Sequence, residues 1–247
     1  MIRLERHGLP AAPPPLVAIP GIDGSIASIA PIVKQLARRR EVVVVNYTAE
    51  TNPTLEELSA EIASAIRAEL PSPVDLLGQS IGTILTVQVA GIHRSAVRKV
   101  ILIATFTRLR WFLLRVTNIL VSMTPRWLYR ATTPAMLSWI CGPVGDGRTH
   151  PFFAASRNSD PKGVVKRTAW EINRDFASDL ARLEQPARIL MGAEDRFVPN
   201  ARREIAKLEA LFTGRPVTIR AIPKAGHVLL PSAAIAQAVS IIDEFLG

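Results

Sequence analysis

The pentapeptide Gly78-Gln79-Ser80-Ile81-Gly82 sets a serine directly after an apolar run and directly before a helical pattern. A serine on a sharp strand-to-helix turn has strained backbone geometry and needs small neighbours, which Gly78 and Gly82 supply. Its hydroxyl then projects above the sheet at a helix N-terminus, where backbone N–H groups favour developing negative charge. A serine hydroxyl is a poor nucleophile near neutral pH, so it requires a base, itself oriented by an acid. The chain offers four histidines. His7 lies before the sheet, His93 ends the helical pattern after the serine, and His150 sits in a middle segment. His227, in Lys224-Ala225-Gly226-His227, follows the last apolar run, where strands of open α/β sheets end and ligands bind. The acid candidate is Asp195, in Gly192-Ala193-Glu194-Asp195-Arg196-Phe197-Val198-Pro199, just past the preceding run. Each residue has a plainer reading: Ser80 as a helix N-cap, Asp195 as the cap of the next helix, His227 as a surface loop residue.

The elements that must position these residues read as alternating strands and helices. Short runs rich in β-branched residues occur at Leu16–Ile19, Glu41–Val45, Val74–Leu77, Lys99–Ile103, Arg188–Met191 and Val217–Ile222. Near-continuous Val/Ile/Leu runs of this kind suit strands covered on both faces, as in a parallel sheet. Between them, helical spacing predicts helices over Ser28–Arg39, Leu55–Leu70, Ile81–His93, Ala201–Thr213 and Ala233–Phe245. Thr54 with Glu56 and Glu57 makes a capped, acidic N-terminus for the second. This alternation predicts an α/β fold with a mostly parallel, doubly wound sheet. The start, Met1-Ile2-Arg3-Leu4-Glu5-Arg6, alternates charged and apolar residues and lacks a signal peptide's apolar core. Pro13-Pro14-Pro15 reads as a stiff lead-in to the first core strand.

The alternation breaks once, from Thr105 to Leu180. Leu109, Phe112, Leu113, Val116, Ile119 and Met123 follow helical spacing, after which Pro125, Pro134, Pro143, Pro151 and Pro161 are expected to cut the segment into short pieces. This predicts a helical insertion, residues 105–180, in a core made of residues 1–104 and 181–247. The insertion also concentrates the charge. The whole chain carries a formal net charge of +9, and residues 105–180 hold 11 Lys+Arg against 5 Asp+Glu, with all four tryptophans. No nucleic-acid-binding module or dense basic run accompanies that charge, so nucleic acid is not expected as a partner. A lone cysteine, Cys141, can make neither an internal disulfide nor a structural zinc site. The charge-free stretches Leu76–His93 and Ala225–Ile242 carry interior polar residues and Gly or Pro, and read as strand-loop-helix units rather than membrane spans.

From about Leu16 onward the sequence resembles the α/β-hydrolase superfamily. The resemblance rests on the serine turn and on the chain order Ser80, Asp195, His227, each on a loop after a strand. It implies Ser80 as nucleophile, His227 as general base and acid, and Asp195 as its orienting partner. Glu194 is the rival acid, but the family's pattern of Gly, then Asp, then Val-Pro favours Asp195. The family's alternative acid position, after the strand ending at Ile103, holds Ala104-Thr105. The oxyanion hole is expected from the backbone N–H groups of Ile81 and Ile22, the latter in the loop Pro20-Gly21-Ile22-Asp23-Gly24-Ser25. That loop is similar to one in a branch with plant phytyl-ester synthase-like and bacterial esterase or thioesterase-like members. The insertion falls where the superfamily carries its cap, or lid.

The expected activity is therefore hydrolysis of carboxylic esters through an acyl-enzyme, with no cofactor and no metal. The apolar, aromatic cap points to a medium or long acyl chain, with Asp23, Trp111, Trp127 and Trp139 as candidate substrate contacts. The same residues also suit a thioesterase, an acyltransferase or an esterase of carrier-bound acyl chains, and a hydrolase scaffold also serves as a ligand-binding receptor. An ester or thioester is the expected small-molecule partner. The basic cap suits an anionic membrane surface, an acidic acyl carrier protein, or solvent alone. A cytoplasmic protein, at most peripheral to a membrane, is the expected setting.

Overall fold

The Val/Ile/Leu runs become β2 (Leu16–Ile19), β3 (Val42–Tyr47), β4 (Val74–Gln79), β5 (Val97–Ile103), β6 (Ala187–Gly192) and β7 (Val217–Ile222). They pair in parallel in the computed structural model, which describes residues 2–8, 14–22, 24–47, 54–109, 111–172, 174–198 and 200–247. Side chains alternate between the two faces. Val17, Ile19, Val43, Val45, Leu76, Val100 and Leu102 pack beneath α2 (Leu55–Glu69) and α3 (Ile81–Ile92). Leu16, Ala18, Val42, Val44, Leu77, Ile101 and Ile103 pack beneath α1 (Ala30–Leu36) and α10 (Ser232–Leu246). Both faces are thus dry, which is why these runs are apolar throughout rather than alternating. The α2 start is closed reciprocally: the Glu57 N–H donates to the Thr54 hydroxyl, and the Thr54 N–H donates to the Glu57 carboxylate at 2.8 Å.

The largest departures from the sequence reading lie near the N-terminus. The charged-apolar alternation at the N-terminus is a strand, β1 (Ile2–His7), antiparallel to β3 with Ile2 opposite Tyr47 and His7 opposite Val42. Ile2 and Leu4 pack on the core while Arg3 between them faces water, as on a half-wet edge strand. His7 accordingly lies within the sheet, not before it. The helix expected from Ser28 begins instead with a 3-10 turn, Ile26–Ser28, and α1 stops at Leu36.

The strand order is β1-β3-β2-β4-β5-β6-β7. From β2 the chain steps to β3 on one side and then to β4 on the other, so the loops leaving β2 and β4 diverge. The crevice at the C-terminal ends of these two strands is where open α/β sheets bind ligands.

Between β5 and β6 the described elements are helical: α4 (Trp111–Met123), α5 (Arg126–Ile140), α6 (Pro151–Asn158), α7 (Pro161–Thr168) and a single turn, α8 (Ala177–Leu180). The prolines do less cutting than expected. Pro125 caps α5, and Pro151 and Pro161 begin α6 and α7, where a missing N–H is no loss. Pro134 lies inside α5; the carbonyl it leaves without a donor belongs to Arg130, an exposed residue.

Glu171, between α7 and α8, is buried, and its Oε2 has no hydrogen-bond partner. Burial pushes its carboxyl up to about 8. The folded chain therefore keeps a proton that the unfolded chain releases, so Glu171 costs stability as pH rises from its ordinary 4.5 towards 8. Glu171→Gln removes that cost. Its melting temperature should exceed that of the unsubstituted chain at pH 8 and converge on it near pH 4; parallel curves from thermal melts across that range would contradict the buried-acid reading.

Candidate active site

Ser80 sits between β4 and α3 with φ 56° and ψ −127°, a conformation that costs a side-chain-bearing residue about 1–3 kcal/mol. The turn is held from both sides: the Ser80 N–H donates to the Ile103 carbonyl at 2.9 Å, and the Thr83 N–H and hydroxyl donate to the Ser80 carbonyl. Close approach explains the flanking glycines. A Cβ on Gly78 would collide with the Thr86 hydroxyl, and one on Gly82 with the Pro20 carbonyl. The Ser80 side chain makes no capping bond to α3, so the plain N-cap role does not apply to it. Its Oγ lies 2.8 Å from His227 Nε2 instead.

His227 reaches the serine because its loop is pinned. The His227 N–H donates to the Cys141 carbonyl at 2.8 Å, and the Glu194 N–H donates to the Ala225 carbonyl at 2.9 Å. The C-terminus of α5, the loop after β6 and the loop after β7 meet here without space for a side chain at Gly226 or Gly142. On the far side of the ring, His227 Nδ1 is 2.8 Å from Asp195 Oδ2. The other oxygen of Asp195 accepts the Phe197 N–H at 2.8 Å and the Val198 N–H at 3.1 Å. Three donors on one carboxylate hold its charge and its rotamer. Glu194, the rival acid, is exposed, and α9 (Ala201–Leu211) is capped by Asn200, not by Asp195. The Phe197 ring covers His227 at 4.5 Å between centroids, and Phe106 packs edge-on against Phe197.

The loop after β2 lies alongside, since Ile19 is in register with Gly78. A Cβ on Gly21 would come within 3.3 Å of Ser80 Cβ and would strike the Gln79 side chain. Residues the sequence reading did not single out hold this loop. The Tyr47 hydroxyl reaches the Pro20 carbonyl at 3.0 Å and the Gly21 carbonyl, and the Ser28 hydroxyl donates to Gln79 Oε1 at 3.1 Å. Their only sequence signal was polarity inside apolar runs. Ile81 opens α3, with its N–H at the helix start beside Ser80, and Ile22 lies in the turn closed by the Gly24 N–H to the Gly21 carbonyl.

The remaining candidates lie elsewhere. His7 is in β1. His93, at the C-terminus of α3, bonds the Ala63 carbonyl and Arg67. His150 caps α6, accepting the Phe152 N–H through Nδ1, and burial pushes it down to about 4. Trp127 and Trp139, expected as substrate contacts, are 71% and 69% exposed, so most of each ring faces solvent and encloses nothing. Asp23 and the Trp111 side chain lie outside the described residues. Thr105, in the alternative acid position, is buried, and its hydroxyl lies 2.9 Å from the Thr83 hydroxyl. Cys141 is buried, and its thiol is pushed up to about 12 by desolvation, with the charge of Asp195 acting in the same direction. Among the described residues no three His, Cys, Asp or Glu side chains stand together as a metal site.

A family model described as "Alpha/beta hydrolase family" matches residues 16–239. No curated protein matches the sequence. Several solved structures are similar throughout. A hydrolase from Pseudomonas aeruginosa PA01 superposes with a TM-score of 0.81 at 20% identity, covering 100% of this chain and 94% of that one. An esterase from Exiguobacterium antarcticum gives 0.80 at 15% identity, covering 99% and 95%. The enol-lactonase from Burkholderia xenovorans LB400 gives 0.76 at 17% identity, covering 100% and 96%. At these identities the likeness is one of fold.

Proposed function

The chain belongs to the alpha/beta hydrolase family, and on that premise we propose that it is a serine hydrolase of carboxylic esters working through an acyl-enzyme. One observation carries the proposal: a serine hydroxyl that caps no helix lies 2.8 Å from His227 Nε2, while Nδ1 of the same ring lies 2.8 Å from Asp195. In this reading Ser80 Oγ attacks the ester carbonyl carbon as His227 Nε2 takes its proton. Asp195 keeps the Nδ1 proton in place and stabilises the imidazolium, without itself taking a proton. The backbone N–H groups of Ile81 and Ile22 hold the oxyanion, each donor of this kind being worth about 2.7–4 kcal/mol in the transition state. His227 then gives its proton to the leaving alkoxide. A water, deprotonated by His227, attacks the acyl carbon; the bond to Ser80 Oγ breaks, His227 returns the proton to Oγ, and the acid leaves. No metal or cofactor enters any step.

Residues 105–180 act as the cap in this proposal, and residues 1–104 and 181–247 as the core. The partly exposed Phe197 ring beside His227, backed by buried Phe106, supports an acyl chain of medium or greater length. The similar structures include an esterase and an enol-lactonase, which supports oxygen esters as the substrate class.

The test is a fluorophosphonate probe together with a chain-length series of p-nitrophenyl esters and the matching thioesters, with Ser80→Ala as the blank. Labelling of the folded protein that disappears in Ser80→Ala, and octanoyl esters outpacing acetyl esters, are the expected results. Absence of labelling would end the hydrolase reading. Faster acetyl turnover would end the chain-length reading alone, and a thioester preference would move the substrate class.

A further inference from the structure

A surface helix ordinarily buries its apolar stripe and shows its polar side to water, and α4 does the reverse. At 100° per residue, Phe112, Val116, Ile119, Leu120 and Met123 fall within an arc of about 100° on one side of the helix, and all five are exposed, Leu120 by 61% and Met123 by 76%. The opposite side carries Leu114, Asn118 and Val121, and there Asn118 is tied down: it donates to the Val165 carbonyl and accepts the Thr168 hydroxyl at 2.6 Å. The stripe runs on through a short turn into α5, where Trp127 is exposed as well. Eight of the nine large apolar side chains exposed among the described residues lie on these two helices.

Charge marks the same place. Residues 105–145 hold five arginines and no Asp or Glu. Arg108, Arg115, Arg126 and Arg130 are exposed, and Arg126 faces Asp160 across 3.5 Å with both side chains largely in water. We propose that the α4–α5 face docks on an anionic lipid surface, with the aliphatic stripe and Trp127 entering the headgroup–acyl boundary and the arginines meeting lipid phosphates. Three features favour lipid. Side chains that stand this far out need a medium that deforms around them. Amphipathic Trp rings and Arg at the edge of an apolar face match an interfacial helix. A second copy of the same face would bring its arginines against like charges, with Asp160 the one acid among the described residues placed beside them. Among the described residues no helix is long and apolar enough to cross a membrane, so the contact is one of lying on the surface. The inference concerns binding and stands apart from the reaction proposed above.

The full chain is tested by co-sedimentation with vesicles of phosphatidylcholine alone and of phosphatidylcholine mixed with phosphatidylglycerol. Partition should be at least about tenfold stronger on the anionic vesicles and should fall with added salt, as expected for a few basic residues at a charged surface. The double variant Leu120→Glu/Met123→Glu should lose about tenfold or more on both vesicle types, with an unchanged far-UV circular dichroism spectrum. Arg115→Gln/Arg130→Gln, which touches no apolar packing, should lose only the anionic preference. Brominated-lipid quenching of tryptophan emission should weaken in Trp127→Phe. Failure of the unsubstituted chain to bind either vesicle would overturn the proposal, as would undiminished binding by both double variants. A dimer that Leu120→Glu/Met123→Glu converts to monomer, without vesicle binding, would assign the face to a second copy.

Discussion

Asp195→Asn lowers kcat about 10⁴-fold towards an ester, and Glu194→Gln leaves it within about a factor of two. The asparagine is isosteric, and its oxygen still accepts from the Phe197 and Val198 N–H groups, so the loop keeps its shape. Its amide, however, now points N–H groups at His227 Nδ1. The ring is forced into the tautomer that carries its proton on Nε2, facing Ser80, where it is no base; a substitution of this kind in a serine triad costs about 10⁴. Ser80→Ala and His227→Ala each cost about 10⁶, and the double variant costs no more than either, because residues acting as one unit are not additive. Steady-state kinetics on one ester decides the matter. Equal losses from Asp195→Asn and Glu194→Gln, or multiplying losses in the double variant, would mean that these residues do not work as a chain.

Gly226→Ala is expected to be among the most damaging single-methyl additions in the molecule. The added Cβ would be driven into the Cys141 carbonyl, a backbone atom with no rotamer to escape into. That carbonyl also accepts the His227 N–H, so relief means moving either the end of α5 or the base itself. Overpacking of this kind costs about 1–3 kcal/mol, and an ångström of displacement at a catalytic group costs about 10² in rate. Both losses should appear together, as a lower denaturant midpoint and a lower kcat/KM. Gly91→Ala is the control: nothing lies within 4 Å of its added Cβ, and within α3 alanine is favoured over glycine by up to about 1 kcal/mol. A Gly226→Ala protein with unchanged midpoint and turnover would show that the contact between α5 and the histidine loop yields freely.

Much of this was written locally. β-branched runs and helical spacing locate the parallel strands and most helices, because burial on both faces demands an apolar residue at every position. The capping pair Thr54 and Glu57 marks its helix start by hydrogen bonds that span only three residues. The glycines around Ser80 announce a tight turn because only a missing Cβ permits it. Edge effects were harder to read. β1 alternates because it is half wet, and charged residues at every second position obscure a strand. α5 runs on through Pro134, whose lost donor faces the carbonyl of an exposed residue, and that exposure depends on where the face points.

What the amino-acid order determined by itself is the set of chemical groups and the strand ends that carry them: a serine on a turn, an acid and a histidine on later loops. Only the folded chain decided which of these touch. Ser80 and His227 are 147 residues apart, and their 2.8 Å contact exists because β4 and the loop after β7 end on the same side of one sheet. Asp195 and Glu194 are neighbours of like chemistry, told apart by burial. The apolar stripe of α4 has the same periodicity whether it faces in or out; packing against α7 turned it outward. Periodicity is a property of sequence, but direction is a property of what a helix packs against.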